Sequence, residues 1–588
     1  MSFYTAFFRT LLWRPGQAME AMYWHLTGKR RRARNRLRLG AASSSHSYQV
    51  WIASVEKQQD TLASADHMIA GWPTAPSISV LLYQEEGAKS ALFERCVTAL
   101  SRQIHRDWEL VLVQSYDAQP PLAIGVPRLV LAPSRATNHA QAMAVGAQAA
   151  TGDFILPLPV NAQLSPTALY HLIEALQDDP DADILYGDHD HLGRFGRRIR
   201  PWFKPRYNRE MLLAQDYISP ACLIRTEAFR AATPLHPAVG DQASYAIILA
   251  ITANPEARVV HVPHMLAHIT PQADPDRQAT SAAIVSRAIA GQGATIAPGP
   301  YGTLRIDWPL PDPAPSVTII IPTRDRLRLL RSCMISVLGA TRYPDYDVII
   351  VDNGSQNRDT ADYLARLAQN PRVQVIRDDG PFNYSALNNR AVAQARGDLI
   401  CLMNNDVEVL DDQWLTALVR QAVRPHIGAA GAKLLYDDHR IQHAGVVVGL
   451  HEAAGHAHRF QRNADPGYFA QAHIARYVTA VTGACLVVDK RKFESVGGLD
   501  EDTFAVAFND VDLCLKLQAA GLRNVYVPQA VLIHHESQSR AHDTAPDQIE
   551  RYHGELAALQ QRWQTVSYHD PLHHPALDRE SEAYIVRL

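Results

Sequence analysis

Apolar positions along the chain fall into short, dense runs. ISVLL (78–82) and VTIII (317–321) each follow a proline-rich stretch, GWPTAPS (71–77) and DWPLPDPAPS (307–316). Aliphatic runs behind a proline stop predict buried strands. Each is followed by a helical stretch and a second run, WELVLV (108–113) and YDVIIV (346–351). The parallel continues. TNHAQAMAVGAQAATGDFILPL (137–158) stands beside SALNNRAVAQARGDLICLM (385–403), and SPACLIRTEAF (219–229) beside TGACLVVDKRKF (482–493). VVHVPHMLAH (259–268) stands beside NVYVPQAVLIH (524–534). Matched segments lie about 240 to 265 residues apart, too long a period for a solenoid, which predicts two copies of one domain. Strands alternating with helices predict an α/β fold with a mixed, mostly parallel sheet in each copy. Ligands of such sheets bind beyond the carboxyl ends of the strands.

Composition narrows the picture. The 588 residues are 47% apolar and 20% charged, enough to bury a core in each domain. A net charge of −3 gives no pull toward nucleic acid, and no such partner is expected. The six cysteines form no C-x-x-C pair, which excludes a disulfide scaffold and a cysteine zinc site. No run of 18 apolar residues predicts a membrane span, and no secretory signal is read at the N-terminus.

The average hides one asymmetry. Residues 29–38, KRRRARNRLR, hold seven cations and no acid. Ahead of them Tyr4, Phe7, Phe8, Leu11 and Leu12 fall at helical spacing, and after Pro15 so do Met19, Met22, Tyr23 and Leu26. An aromatic stripe beside a cationic block suits a helix lying on an anionic membrane surface. The alternative is a helix packed on its own protein, followed by a solvated basic turn. The expected organisation is an amphipathic, basic arm and linker (1–46), a first domain (47–306) and a Pro-rich linker (307–315). A second domain (316–545) and a C-terminal helix and tail (546–588) follow.

Chemistry gathers at strand ends of the second copy. VTIIIPTRD runs out into Thr323, Arg324 and Asp325, and VIIVDNGS into Asp352 and Asn353. Asp352 follows an apolar strand, where it needs a donor such as a nucleobase imide N–H; an Asx turn is the competing account. DLICLMNNDVEVL (398–410) places Asn404, Asn405 and Asp406 between two apolar segments. A carboxylate so placed is paired, neutral or metal-bound, and a hard divalent cation that also holds phosphates fits. Asn509 reads as a helix N-cap, with Asp510 and Asp512 in the first turn. They favour the helix dipole, and Asp510 is also placed to act as a general base. His534 and His535 close an aliphatic strand and are candidate metal partners.

The strings PTRDR, VDNGS, GPFNYSALNNRAV, LMNNDVEV, IQHAGVV, AVTGACLVV, AFNDVDLCL and HHES, in this order, resemble the family 2 glycosyltransferases of the GT-A fold. More narrowly they are similar to bacterial tandem-domain members of surface polysaccharide or O-antigen assembly. The resemblance implies that Thr323, Asp325, Asp352 and Asn389, with Asn404 and Asn405, hold a nucleotide-sugar, UDP- or dTDP-linked. It implies that Asp406 and His534, or His535 in its place, hold Mn²⁺ or Mg²⁺. It makes Asp510 the catalytic base, Asp512 a supporting carboxylate, and Gly483, Ala484 and Cys485 the acceptor region. The implied reaction is inverting transfer to a lipid-linked glycan, at the inner face of the cytoplasmic membrane. The rival is a membrane-associated, carbohydrate-binding or scaffolding pseudoenzyme.

The first copy lacks these parts. Gln114 stands for Asp352, Ala144 for Asn389, and Pro159-Val160-Asn161 for Asn404-Asn405-Asp406. QASYAII (242–248), at the place of Asp510, holds no acid, and YGDHD (186–190) is a separate acidic cluster. The first copy is therefore expected to be degenerate.

Overall fold

The structure, a computed structural model, describes residues 138–535 and 546–587 without interruption and parts of 4–136. Residues 41–44 of the linker, the domain end at 545, and Lys29, Arg31, Arg32, Asn35 and Arg38 of the basic run lie outside the described residues. The chain forms two compact units. The first comprises Ala41–Arg305 with His574–Leu577 and Val586–Leu588; the second comprises Met1–Gly40, Ile306–His573 and Asp578–Ile585.

The principal strands of the first unit are β1 (Ile78–Tyr83), β2 (Trp108–Ser115), β3 (Leu129–Ser134) and β4 (Phe154–Pro157). They continue with β5 (Ala162–Leu164), β6 (Ile184–Leu192), β7 (Cys222–Arg225) and β8 (Val259–Ile269). Their order in the sheet is β3-β2-β1-β4-β7-β6-β8-β5. The second unit holds β9 (Val317–Thr323), β10 (Tyr346–Asp352), β11 (Val373–Arg377) and β12 (Leu399–Met403). These lead to β13 (Val407–Val409), β14 (Ile427–Leu435), β15 (Cys485–Asp489) and β16 (Arg523–His534). Their order is β11-β10-β9-β12-β15-β14-β16-β13, the same path strand for strand. In the second unit β9 to β12 pair in parallel, while β15 and β13 run antiparallel to their neighbours, so the sheet is mixed.

Why these runs become strands is clear at β9, where every residue of VTIIIPT is buried. β-branched side chains fit a strand covered on both faces, and each buried Val or Ile contributes about 1.5–3 kcal/mol. The glycine before β4 and β12 has a packing reason in both copies. A Cβ on Gly397 would lie 2.4 Å from the Thr318 amide nitrogen, and one on Gly152 would lie 2.7 Å from that of Ser79. The next residue repeats too: Asp398 Oδ2 accepts from the Ser316 amide and Asp153 Oδ2 from the Ser77 amide.

The second unit also contains α1 (Pro15–Leu26), α2 (Tyr384–Gln394), α3 (Asn509–Ala519) and α4 (Pro546–Trp563). Among the described residues no helix is long and apolar enough to cross a membrane.

Candidate active site

Parallel pairing of β9 with β10 sets Thr323 directly beside Asp352 at the carboxyl end of the sheet. Asp352 is buried; its Oδ1 accepts from the Ser355 amide (3.0 Å) and its Oδ2 from Arg377 Nη1 (2.6 Å). The hydrogen bonds to Asp352 and Asp379 raise the Arg377 pKa, so this guanidinium stays charged. Arg377 ends β11 and carried no signal as a lone cation in the sequence. Asp325, at φ 51°, turns back to accept from the amides of Gln356 (3.0 Å) and Asn357 (2.8 Å). It therefore shapes the loop after β10.

The turn after β12 carries the second group. Asn405 Nδ2 donates to Thr323 Oγ1 (2.9 Å), tying this turn to the end of β9. Asp406 is buried, and its Oδ1 lies 3.1 Å from His534 Nε2. His534 Nδ1 lies 2.7 Å from Gln442 Oε1. An amide oxygen only accepts, so Nδ1 carries a ring proton, and in the neutral ring Nε2 keeps its lone pair. Asn404 Nδ2, 3.3 Å from that Nε2, is placed to donate to it. A carboxylate oxygen and an imidazole lone pair thus face each other, which is favourable with a cation between them. His535 is arranged differently: Nδ1 meets Asp437 Oδ1 (2.5 Å) and Nε2 meets Glu408 Oε2 (3.2 Å). Of the two histidines, His534 is the one whose ring approaches Asp406.

The 483–485 segment joins this turn to the first turn of α3. The Asn404 amide donates to Ala484 O (3.0 Å), and Cys485 pairs with Met403 across the sheet. The Gly483 amide donates to Asp510 Oδ2 (2.8 Å), and the Val511 amide to Oδ1 (2.9 Å). Tyr384, at the start of α2, donates through its hydroxyl to Gly483 O (3.0 Å). Burial raises the Asp510 pKa above the usual aspartate range, and the amides of Gly483 and Val511 offset this only in part.

Three predicted residues sit otherwise than the sequence suggested. Asn509 begins α3 without capping it; Phe508 precedes it at φ 60°, and Asn509 Nδ2 donates back to Val506 O (3.1 Å). Asp512 points away from Asp510 into a buried cluster with Arg562 Nη1 (3.0 Å), Trp563 Nε1 (2.9 Å) and Lys516 Nζ (3.3 Å). It anchors α4. Asn389 holds the loop ahead of α3, donating to Leu499 O (2.8 Å) and accepting from the Leu499 amide (3.0 Å).

A further anchor escaped sequence reading. Glu555, buried on α4, accepts from the amides of Val506 (3.0 Å) and Ala507 (2.7 Å), just before Asp510. Glu555→Gln leaves one amide without its acceptor, at an expected cost of about 1–3 kcal/mol. The measurement is the melting temperature, which should fall; an unchanged value contradicts this role.

The first unit lacks the corresponding groups in space as well as in sequence. Strand register sets Gln114 at the place of Asp352 and Asn161 at the place of Asp406. Asn161 is held by Thr270, with the Thr270 amide donating to Asn161 O as the His535 amide does to Asp406 O. Ile269 therefore replaces His534, and helix Ala243–Ile251 has no acid in its first turn. The YGDHD carboxylates are internal cross-links. Asp190 meets Tyr48 (2.6 Å), Arg198 (2.5 Å) and His268 (2.8 Å). Asp188, His261 and His574 bring ligand atoms within 4.8 Å of one another. The Ala576 amide donates to His574 Nδ1 (2.9 Å), so the ring proton sits on Nε2, which faces Asp188 Oδ2 at 2.7 Å.

Comparison with known proteins agrees with the duplicated fold. The glycosyl transferase family 2 profile matches residues 77–232 and 318–463, and that of glycosyl transferase family group 2 matches 429–577. The chain is 35% identical over 92% of its length to the uncharacterized protein y4gI of Sinorhizobium fredii, covering 62% of that protein. It is 34% identical over 85% of its length to the O-antigen biosynthesis protein RfbC of Myxococcus xanthus, covering 40% of that protein. It thus spans less than two thirds of either relative. The N-acetylglucosaminyl-diphospho-decaprenol L-rhamnosyltransferase of Mycobacterium tuberculosis is 29% identical over 37% of this chain and 75% of its own length. With the family profile matched twice and the strand order repeated in both units, the chain belongs to glycosyl transferase family 2.

Proposed function

We propose that the second unit transfers a hexosyl or deoxyhexosyl group from a nucleotide-sugar to a hydroxyl of a lipid-linked glycan, with inversion, in cell-surface polysaccharide or O-antigen biosynthesis. The observation that carries this reading is the short bridge Gly483–Ala484, which links the Asp406–His534 pair to Asp510. A donor-phosphate site and a base joined by one short segment are what a single displacement needs. Asp510 accepts the acceptor hydroxyl proton as that oxygen attacks the sugar C1 and the bond from C1 to the diphosphate breaks. Asp406 and His534 would hold a divalent cation, which would supply charge neutralisation for the departing nucleoside diphosphate in place of a general acid. Mn²⁺ and Mg²⁺ would both serve that role.

Asp352 and Arg377 present an acceptor and a donor side by side at the carboxyl ends of β10 and β11. That pair complements an imide edge, an N–H flanked by carbonyls, as in a UDP- or dTDP-linked donor. The glycan acceptor is supported by the relative in O-antigen biosynthesis, and its lipid link by the relative acting on a decaprenol diphosphate sugar. Such an acceptor places the enzyme peripherally on the inner face of the cytoplasmic membrane. The first unit, without the acids, serves in bracing or acceptor binding.

Gln442 offers a specific test. Its amide oxygen holds the His534 tautomer, so Gln442→Leu should weaken Mn²⁺ activation about 10–100-fold without moving the melting temperature greatly. The readout is initial rate against Mn²⁺ concentration, and an unchanged activation curve contradicts the assignment of His534.

A further inference from the structure

The N-terminal helix α1 is apolar on two sides. On one side Ala18 and Ala21 are buried in a small core with Phe7 and Leu37, and Trp24 is buried against Arg440. On the opposite side Met19 is 59% exposed, Tyr23 62% and Leu26 77%, at spacings of four and three residues. Tyr4 and Phe8 are exposed in the same way ahead of it. The helix already packed on its own protein therefore explains the inward residues and leaves the outward stripe unexplained.

Charge identifies the partner. Residues 1–40 contain nine lysines and arginines against one acid, Glu20. Glu20 is neutralised on both sides, by Arg36 (2.8 Å) and by Arg440. Arg30 and Arg34, directly beyond the helix, are exposed. An outward stripe of Met, Tyr and Leu, continued by uncompensated cations, matches the interface of a bilayer with anionic headgroups.

The helix is also tied to the candidate active site. The Arg440 guanidinium lies 4.8 Å from the Trp24 ring centroid and donates to Phe460 O (3.1 Å). Two residues on, Gln442 holds His534; three residues back, Asp437 holds His535.

We propose that Met19, Tyr23 and Leu26 form a docking surface for an anionic lipid bilayer, and that the Glu20–Arg440 contact fixes the edge of the active site carrying Gln442 close to that surface. This rests on the reading of the protein as a transferase with a lipid-linked acceptor, and it names the residues that meet the lipid.

The test is co-sedimentation of the full chain with phosphatidylcholine vesicles, with and without phosphatidylglycerol. Wild type should bind only the phosphatidylglycerol vesicles and release in high salt. The triple variant Met19→Ser, Tyr23→Ser, Leu26→Ser should bind at least about tenfold more weakly, because three buried apolar side chains are lost. Its melting temperature and its donor turnover in solution should be those of wild type. Equal vesicle binding by the variant overturns the proposal. So does a wild type that self-associates through this face, with the variant monomeric and neither binding lipid. Vesicle binding is read without donor, and donor turnover without vesicles, so failure of the docking surface and failure of the transferase reading are told apart.

Discussion

Asp510→Asn is expected to lower sugar transfer about 10²–10⁴-fold, the usual contribution of a positioned general base. Binding of the nucleotide-sugar should be retained, because the groups around Asp352 and Asp406 are untouched. Isothermal titration with the donor and single-turnover transfer separate the two effects. Normal turnover by the variant would falsify the base assignment. Burial raises the Asp510 pKa, so the carboxylate form that accepts a proton is lost as pH falls through that raised value. The acid limb of kcat/KM should therefore lie above about pH 4, the ordinary aspartate range. The same shift has a stability sign. A carboxyl with a raised folded pKa stabilises the fold while protonated and loses that contribution as pH rises through the pKa.

Asp406→Asn should have the second large effect. Its carboxylate faces the His534 lone pair at 3.1 Å, and asparagine keeps the shape while removing the charge. The metal-dependent rate is expected to fall about 10²–10³-fold, corresponding to several kcal/mol of lost charge stabilisation. Raising Mn²⁺ should recover only part of it. The matching change in the first unit, Asn161→Ala, should leave the rate unchanged, because Asn161 meets Thr270 and Ile269 stands where His534 would be. Equal losses at both positions would contradict a division of labour between the units.

Much of this arrangement was legible because the two copies are in register. Apolar runs in the same order fixed which strand ends correspond, so Gln114 and Pro159–Asn161 could be placed opposite Asp352 and Asn404–Asp406; strand pairing places them there. Side-chain partners distant in sequence were not legible. Gln442 meets His534 across 92 residues, and Glu555 reaches Val506 across 49. Periodicity says that a face is buried, not what it meets. Asp512 shows the same limit: near Asp510 in sequence, it is turned by the helix toward Arg562 and Trp563. The basic arm shows it too. Its aromatic positions suggested one amphipathic face, whereas Ala18, Ala21 and Trp24 are the buried residues of α1 and Met19, Tyr23 and Leu26 stay outside.

The central claim is that one copy of a duplicated fold carries metal-dependent glycosyl transfer. Its most direct test is release of nucleoside diphosphate from a panel of nucleotide-sugars by the purified full chain, with Mn²⁺ and with chelator. The prediction is turnover of a UDP- or dTDP-linked donor that requires the metal, is lost in Asp406→Asn and survives in Asn161→Ala. Release that persists in chelator and in Asp406→Asn, or no turnover of any donor, would contradict it.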